Sequence, residues 1–159
     1  MDALAVSSEI LQLVTFKLVG EEYAIDILKV QEINRMVDIT SVPNTQSYVE
    51  GVINLRGKVI PVINLRKKFG LDAKSADSQS RIMVVDVGTT VGLIVDSVSE
   101  VLRLNSDTVE PPPPMTGGAG SEFIKGVGKL KDRLLILLDI DKLLGHEEIG
   151  TVTTFTTNN

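Results

Sequence analysis

GVINLRGKVIPVINLRKKFG (51–70) sets two β-prone apolar runs around an Arg-Gly pair and ends in a basic segment closed by glycine. Residues 52–55 and 59–65 read as strands joined by a tight turn at Gly57. Pro61 has no N–H for a ladder, so its strand is expected to lie at a sheet edge or to carry a bulge there. Residues 66–69 read as a short helix stopped by Gly70. The same pattern returns as GVGKLKDRLLILLDIDKLLG (126–145). At an offset of 75 (126 − 51), Gly51, Val52, Leu55, Lys67 and Gly70 meet Gly126, Val127, Leu130, Lys142 and Gly145. Val59, Ile60, Val62, Ile63 and Leu65 meet Leu134, Leu135, Leu137, Leu138 and Ile140.

A second match extends the repeat toward the N-terminus. At an offset of 68 (88 − 20), Val19-Gly20 meets Val87-Gly88, and Val30, Glu32, Ile33 and Arg35 meet Val98, Glu100, Val101 and Arg103. Glycines, apolar positions and a glutamate matched in one order indicate two copies of a single small β unit. Each copy carries about five short strands, and sheets this small avoid bare edges by closing into barrels. The run 134–138 is apolar on both faces, so one face can fill its own barrel while the other needs a second apolar surface. The other copy is that surface. The expectation is therefore an all-β fold with short helices: two pseudo-repeated five-stranded β-barrels sharing a hydrophobic core. The copies cover about 10–70 and 81–146, within a domain of 10–146. Residues 1–9 read as a flexible N-terminal arm and 147–159 as a flexible C-terminal tail.

Other segments punctuate this pattern. Residues 10–19 alternate as a half-buried strand, with 23–27 as hairpin partner across Gly20-Glu21-Glu22. Residues 28–36 suit helix or strand equally, and 47–50 are expected to form one helical turn. DAKSADSQS (72–80) is a polar linker, 81–87, 91–96 and 98–104 are strands, and EPPPPMTGGAGS (110–121) is an irregular loop.

At 159 residues and 43% hydrophobic content, the chain can bury a core without a metal or disulfide. It has no cysteine, which excludes disulfides, a thiol nucleophile and a cysteine-based zinc site. A net charge of −5 argues against broad attraction to nucleic acid or anionic membrane. No run approaches the about 20 apolar residues of a membrane span, and 1–9 has no signal-peptide pattern, so a soluble intracellular protein is expected. The cluster Arg66, Lys67, Lys68 reads as a solvated helix face.

No catalytic pattern emerges. His146 is the one histidine, near the chain end. Gly117-Gly118-Ala119-Gly120 lacks the Lys-Ser/Thr of a phosphate cradle. Asp139 aligns with Asn64, and both precede a short helix, so capping accounts for them better than a metal does. The four prolines 111–114 read as a stiff spacer. What remains is a set of charged and glycine residues beside apolar ones, at Val30, Glu32, Ile33, Gly51, Asn54, Arg56 and Gly57. A docking surface explains the set: aliphatic contact area, with a charge for register.

The segments EEYAIDILKVQEI (21–33), GVINLRGKVIPVINLRKKFG (51–70), GLIVDSVSEVL (92–102) and FIKGVGKLKDRLLILLDIDKLL (123–144) resemble the CheW family, the coupling proteins of bacterial chemotaxis. The resemblance runs from about 12 to 146. It implies intertwined double barrels and a non-catalytic adaptor with no cofactor or metal. That adaptor would be cytoplasmic and recruited to membrane-associated receptor arrays, without inserting in the membrane. It would couple the cytoplasmic tip of a methyl-accepting chemoreceptor to the regulatory domain of a CheA-type histidine kinase, beside other coupling proteins. By resemblance, the receptor site comprises Val30, Glu32, Ile33, Gly51, Arg56 and Gly57, faced by Val95, Val98 and Val101. Kinase contact is assigned near Phe123. Asn64, where the family often has Asp, and the PPPPMTGGAG loop depart from the family pattern. The alternatives are a scaffold in a related non-motility chemosensory pathway and a small-ligand-binding double barrel.

Overall fold

A computed structural model describes residues 9–113 and 122–144. The remaining expectations, for the arm 1–8, Gly117 to Gly120, His146 and the tail, lie outside the described residues. In chain order the strands are β1 (Ile10–Leu18), β2 (Glu21–Asp26), β3 (Val30–Arg35), β4 (Val49–Leu55), β5 (Lys58–Asn64), β6 (Arg81–Asp86), β7 (Thr90–Val95), β8 (Ser97–Asn105), β9 (Val109–Glu110), β10 (Ile124–Lys129) and β11 (Leu134–Leu138). Short helices α1 (Leu65–Lys68) and α2 (Ile140–Leu144) follow β5 and β11.

The two sheets run β8-β1-β2-β11-β10-β9 and β3-β6-β7-β5-β4, here called sheets A and B. Under the repeat, β1, β2, β3, β4 and β5 correspond to β6, β7, β8, β10 and β11. Each sheet therefore takes strands from both copies. The copies 10–70 and 81–146 are units of sequence, and they exchange their N-terminal hairpins, β1–β2 for β6–β7, to make composite barrels.

Alternation along the strands divides the apolar side chains into three clusters. Leu13, Ala24, Leu104, Leu135 and Leu137 fill sheet A, and Ile53, Ile60, Val62, Ile82 and Val84 fill sheet B. The opposite faces supply Val14, Phe16, Leu18, Ile25, Ile63, Met83, Val85, Leu93 and Leu138 to a shared core between the sheets. Burying one such side chain contributes about 1.5–3 kcal/mol. The two-faced hydrophobicity of 134–138 has this cause: Leu135 and Leu137 face inward, while Leu138 faces the other barrel.

Each barrel is closed by the continuation of one edge strand, β3 in sheet B and β8 in sheet A. Beyond β3, Thr40 pairs with Val52 of β4 through two backbone hydrogen bonds of 2.9 Å. Beyond β8, β9 pairs with Val127 and Gly128 of β10. Both closures press backbone onto the repeat-matched glycine. A Cβ on Gly51 would lie 2.0 Å from the Thr40 carbonyl oxygen, and one on Gly126 would lie 2.8 Å from that of Glu110. Both values fall well inside van der Waals contact.

Three local expectations change. Residues 47–50 form no helical turn, because the Tyr48 carbonyl accepts from Asn64 N–H and β4 starts at Val49. Pro61 lies in an interior strand, not at an edge. Val52 spends its N–H and carbonyl on Thr40, which leaves Val52–Pro61 a non-hydrogen-bonded pair. The missing Pro61 donor then faces β7, whose ladder with β5 registers only from Val62. The bulge sits on the facing strand, between Val49 and Gly51. Residues 28–36 resolve into a single 3-10 turn (Ile27–Lys29), capped by the Asp26 carboxylate, followed by β3. The capping expectation holds: Asn64 Oδ1 accepts from Lys67 N–H and Asp139 Oδ1 from Lys142 N–H.

Candidate docking site

Leu55 pairs with Lys58, leaving Arg56-Gly57 as a two-residue turn with φ of 53° and 83°. Both angles are positive, as this hairpin requires. Asn54 Oδ1 accepts the Gly57 N–H at 2.8 Å and holds the turn. Arg56 is thus in a backbone region that side chains disfavour. In exchange its guanidinium reaches β3, where Nη2 donates to Glu32 Oε2. Glu32 Oε1 also accepts from Asn34 Nδ2 at 3.0 Å. The Arg56 hydrogen bond, then that of Asn34, holds the Glu32 carboxyl below its ordinary value, and Glu32 in turn raises Arg56. The pair joins the β4–β5 hairpin to β3, the two extremes of sheet B.

Around this pair, Val30 packs on the rim of the shared core and Ile33 is 40% exposed. Their repeat mates on β8 behave alike: Val98 packs on the same core and Val101 is 58% exposed. Of the residues expected at the receptor site, the structure thus brings Glu32, Arg56 and Gly57 into one cluster and gives Val30, Ile33, Val98 and Val101 matched places on β3 and β8.

Gly51 and Val95 are not part of this surface. Gly51 is buried under the Thr40 backbone, so its lack of a side chain serves barrel closure. Val95, 1% exposed, belongs to the shared core, because it occupies the inward register of β7. Phe123 lies elsewhere, half-buried, as the last ring of a ladder through Phe16, Tyr23 and Phe69 with centroid separations of 5.8, 5.8 and 6.4 Å.

Sequence reasoning missed two charged groups. Glu100, the repeat mate of Glu32, is bound by Arg133 Nη2 at 2.9 Å, and Arg133 Nε also binds Glu22 at 2.7 Å. The repeat predicts an acid at 100, but its basic partner is displaced: the offset of 75 takes Arg56 to Lys131, and Lys58 to Arg133. The second group is the basic cluster of α1, which is not a solvated face. Arg66 grips Asp96, Lys67 bonds Glu50 at 2.7 Å, and the Lys68 ammonium lies 4.3 Å from the Tyr48 ring centroid.

Two packed, composite β-barrels filled by their own side chains, with an ion-paired hairpin beside exposed aliphatics, define a protein-docking module. Residues 12–148 match the CheW-like domain. Chemotaxis protein CheW of Klebsiella aerogenes is 44% identical over 138 residues, 86% of this chain and 83% of that protein. That of Thermotoga maritima is 35% identical over 149 residues, 94% of this chain and 96% of that protein. The crystal structure of the scaffolding protein TtCheW from Thermoanaerobacter tengcongensis superposes with a TM-score of 0.80 at 39% identity, covering 88% of this chain and 96% of that one. The chain belongs to the CheW family, a family of scaffolds, and its role is that of a chemotaxis coupling adaptor. Among the described residues, no helix is long and apolar enough to cross a membrane.

Proposed function

We propose that β3 and β8 flank a groove that takes the helical cytoplasmic tip of a methyl-accepting chemoreceptor. Val30, Ile33, Val98 and Val101 supply the apolar contact, and Glu32 with Arg56 sets its register. The regulatory domain of a CheA-type histidine kinase docks on a separate surface toward Phe123, and further coupling proteins adjoin the complex. Residues 10–146 form the working unit. The adaptor is non-catalytic and cytoplasmic, and it reaches the membrane only through receptor arrays. A change in receptor packing passes to the kinase through differential contacts with this domain, a coupling of about 1–3 kcal/mol.

The observation that carries this reading is the Arg56–Glu32 pair on a disfavoured backbone. The turn would be easier with Asn at 56, and the arginine adds nothing to either barrel's packing. A helix laid in a groove needs an apolar stripe and a charge that fixes its azimuth, which this cluster supplies. Arg56→Glu places two carboxylates together in an exposed position. It is expected to weaken capture of a receptor-tip peptide about tenfold or more, with an unchanged far-ultraviolet spectrum and thermal midpoint. Undiminished capture would overturn the assignment.

A further inference from the structure

The chain crosses between sheets twice, from β2 through Ile27–Lys29 into β3 and from β7 through Asp96 into β8. Each crossover is pinned to the helix that follows the last strand of a copy. Arg66 of α1 holds Asp96, and Asp141 of α2 holds Lys29 at 2.9 Å. The offset of 75 carries Arg66 onto Asp141, so the same position carries a pin in both copies with its charges reversed. Two independent charge solutions at one place indicate that the connection itself matters.

The two pins are unequal. Lys29 and Asp141 have side chains 37% and 52% exposed and share one contact. Arg66 and Asp96 are 13% and 17% exposed, with Arg66 Nε on Asp96 Oδ1 at 2.8 Å and Nη2 on Oδ2. Asp96 Oδ2 also accepts the Val19 N–H at 2.9 Å from the β1–β2 turn of sheet A. The Asp96 N–H donates to the Lys17 carbonyl at 3.0 Å, and Arg66 Nη1 to that of Asp72 at 2.9 Å. One carboxylate thus joins α1 behind sheet B to a hairpin of sheet A, at the residue before β8 begins.

We infer that Asp96 and Arg66 are positioning residues, which fix where the chain leaves sheet B for β8 and so hold the Val98–Val101 wall at its distance from the β3 wall. Neither side chain belongs to the exposed aliphatic surface, so their effect on docking is indirect. The link to docking rests on the groove reading; the link to wall position does not.

The absence of native cysteine allows clean labelling. Spin labels at Arg35→Cys on β3 and Arg103→Cys on β8, both exposed, report the distance between the walls by pulsed electron resonance. Asp96→Asn and, separately, Arg66→Lys are expected to shift or widen that distance distribution. Asp141→Asn at the exposed pin is expected to leave it unchanged. Receptor-tip capture by Asp96→Asn is expected to fall about tenfold, a typical coupling between linked sites. An unaltered distribution in both variants, an equal change in the Asp141 control, or loss of fold in both variants would overturn the positioning role. A shifted distribution with undiminished capture would leave the positioning role standing and count against the groove reading.

Discussion

Val19 and Arg56 occupy the first position of matching two-residue turns, with φ of 52° and 53°. For Val19 the cost is greater, because a β-branched side chain crowds its own backbone there. The Asp96 carboxylate on its N–H offsets part of that cost. Val19→Gly keeps this hydrogen bond and removes the crowding. It is expected to stabilise the fold by about 0.5–1 kcal/mol, the left-handed penalty less the glycine entropy cost. A urea titration measures this, and a lower midpoint would show that the exposed valine makes a contact worth more than its strain. The sequence marked Gly20 and Gly57 as turn glycines by pattern alone. It could not mark the residue before each as left-handed, because neither Val nor Arg signals that conformation.

At the scale of elements, the continuations of β3 and β8 explain why glycine recurs at 51 and 126. Barrel closure requires Thr40 and β9 to cross those positions at a separation that excludes a Cβ. Gly51→Ala is expected to cost more than about 3 kcal/mol, since its clash is with backbone and its φ is 146°. Gly126→Ala is expected to cost less, about 1–3 kcal/mol, because one of its two closest neighbours is the movable Val109 Cγ1 at 2.6 Å. Thermal melting of both variants decides the order; equal effects would mean that the Val109 side chain cannot give way. The turns and crossovers also give stability an acid limb. Asp96 is held below its ordinary value first by Arg66, and Asp77 in the linker is drawn down to about 2, first by Lys74 and then by the Gln79 N–H. A carboxyl with a depressed native value stabilises above its unfolded value, and that contribution disappears as pH falls through the native one. Stability should therefore hold from neutrality down to about pH 5 and decline below about pH 4. The decline should be shallower in Asp96→Asn; an identical acid limb in that variant would contradict the coupling.

The whole molecule was legible in the sequence to the extent that each strand repeats: the short strands, both capped helices, the polar linker and the need for a shared core follow from matched apolar and glycine positions. Which strand pairs with which was not legible in the same way. Periodicity reports the face a residue buries, and β1 buries the same face whether it pairs with β3 of its own copy or with β8 of the other. The same limit misplaced Gly51 and Val95, since an apolar or glycine residue near a docking strand looks alike whether it lines a surface or seals a core. Strand exchange has a mechanical consequence that a side-by-side arrangement of the copies would lack. A cut after Lys74, in the exposed linker, separates β1–β5 from β6–β11. Each piece then holds some strands of both sheets, and neither can complete sheet A or sheet B alone. Separation would expose all three apolar clusters at once, because each draws on both sides of the cut. Limited trypsin digestion should therefore yield two bands under denaturing conditions from a particle that still elutes as one and melts in a single transition. Two pieces that elute apart under native conditions would mean that the copies fold independently, and the exchange of β1–β2 with β6–β7 would have to be abandoned.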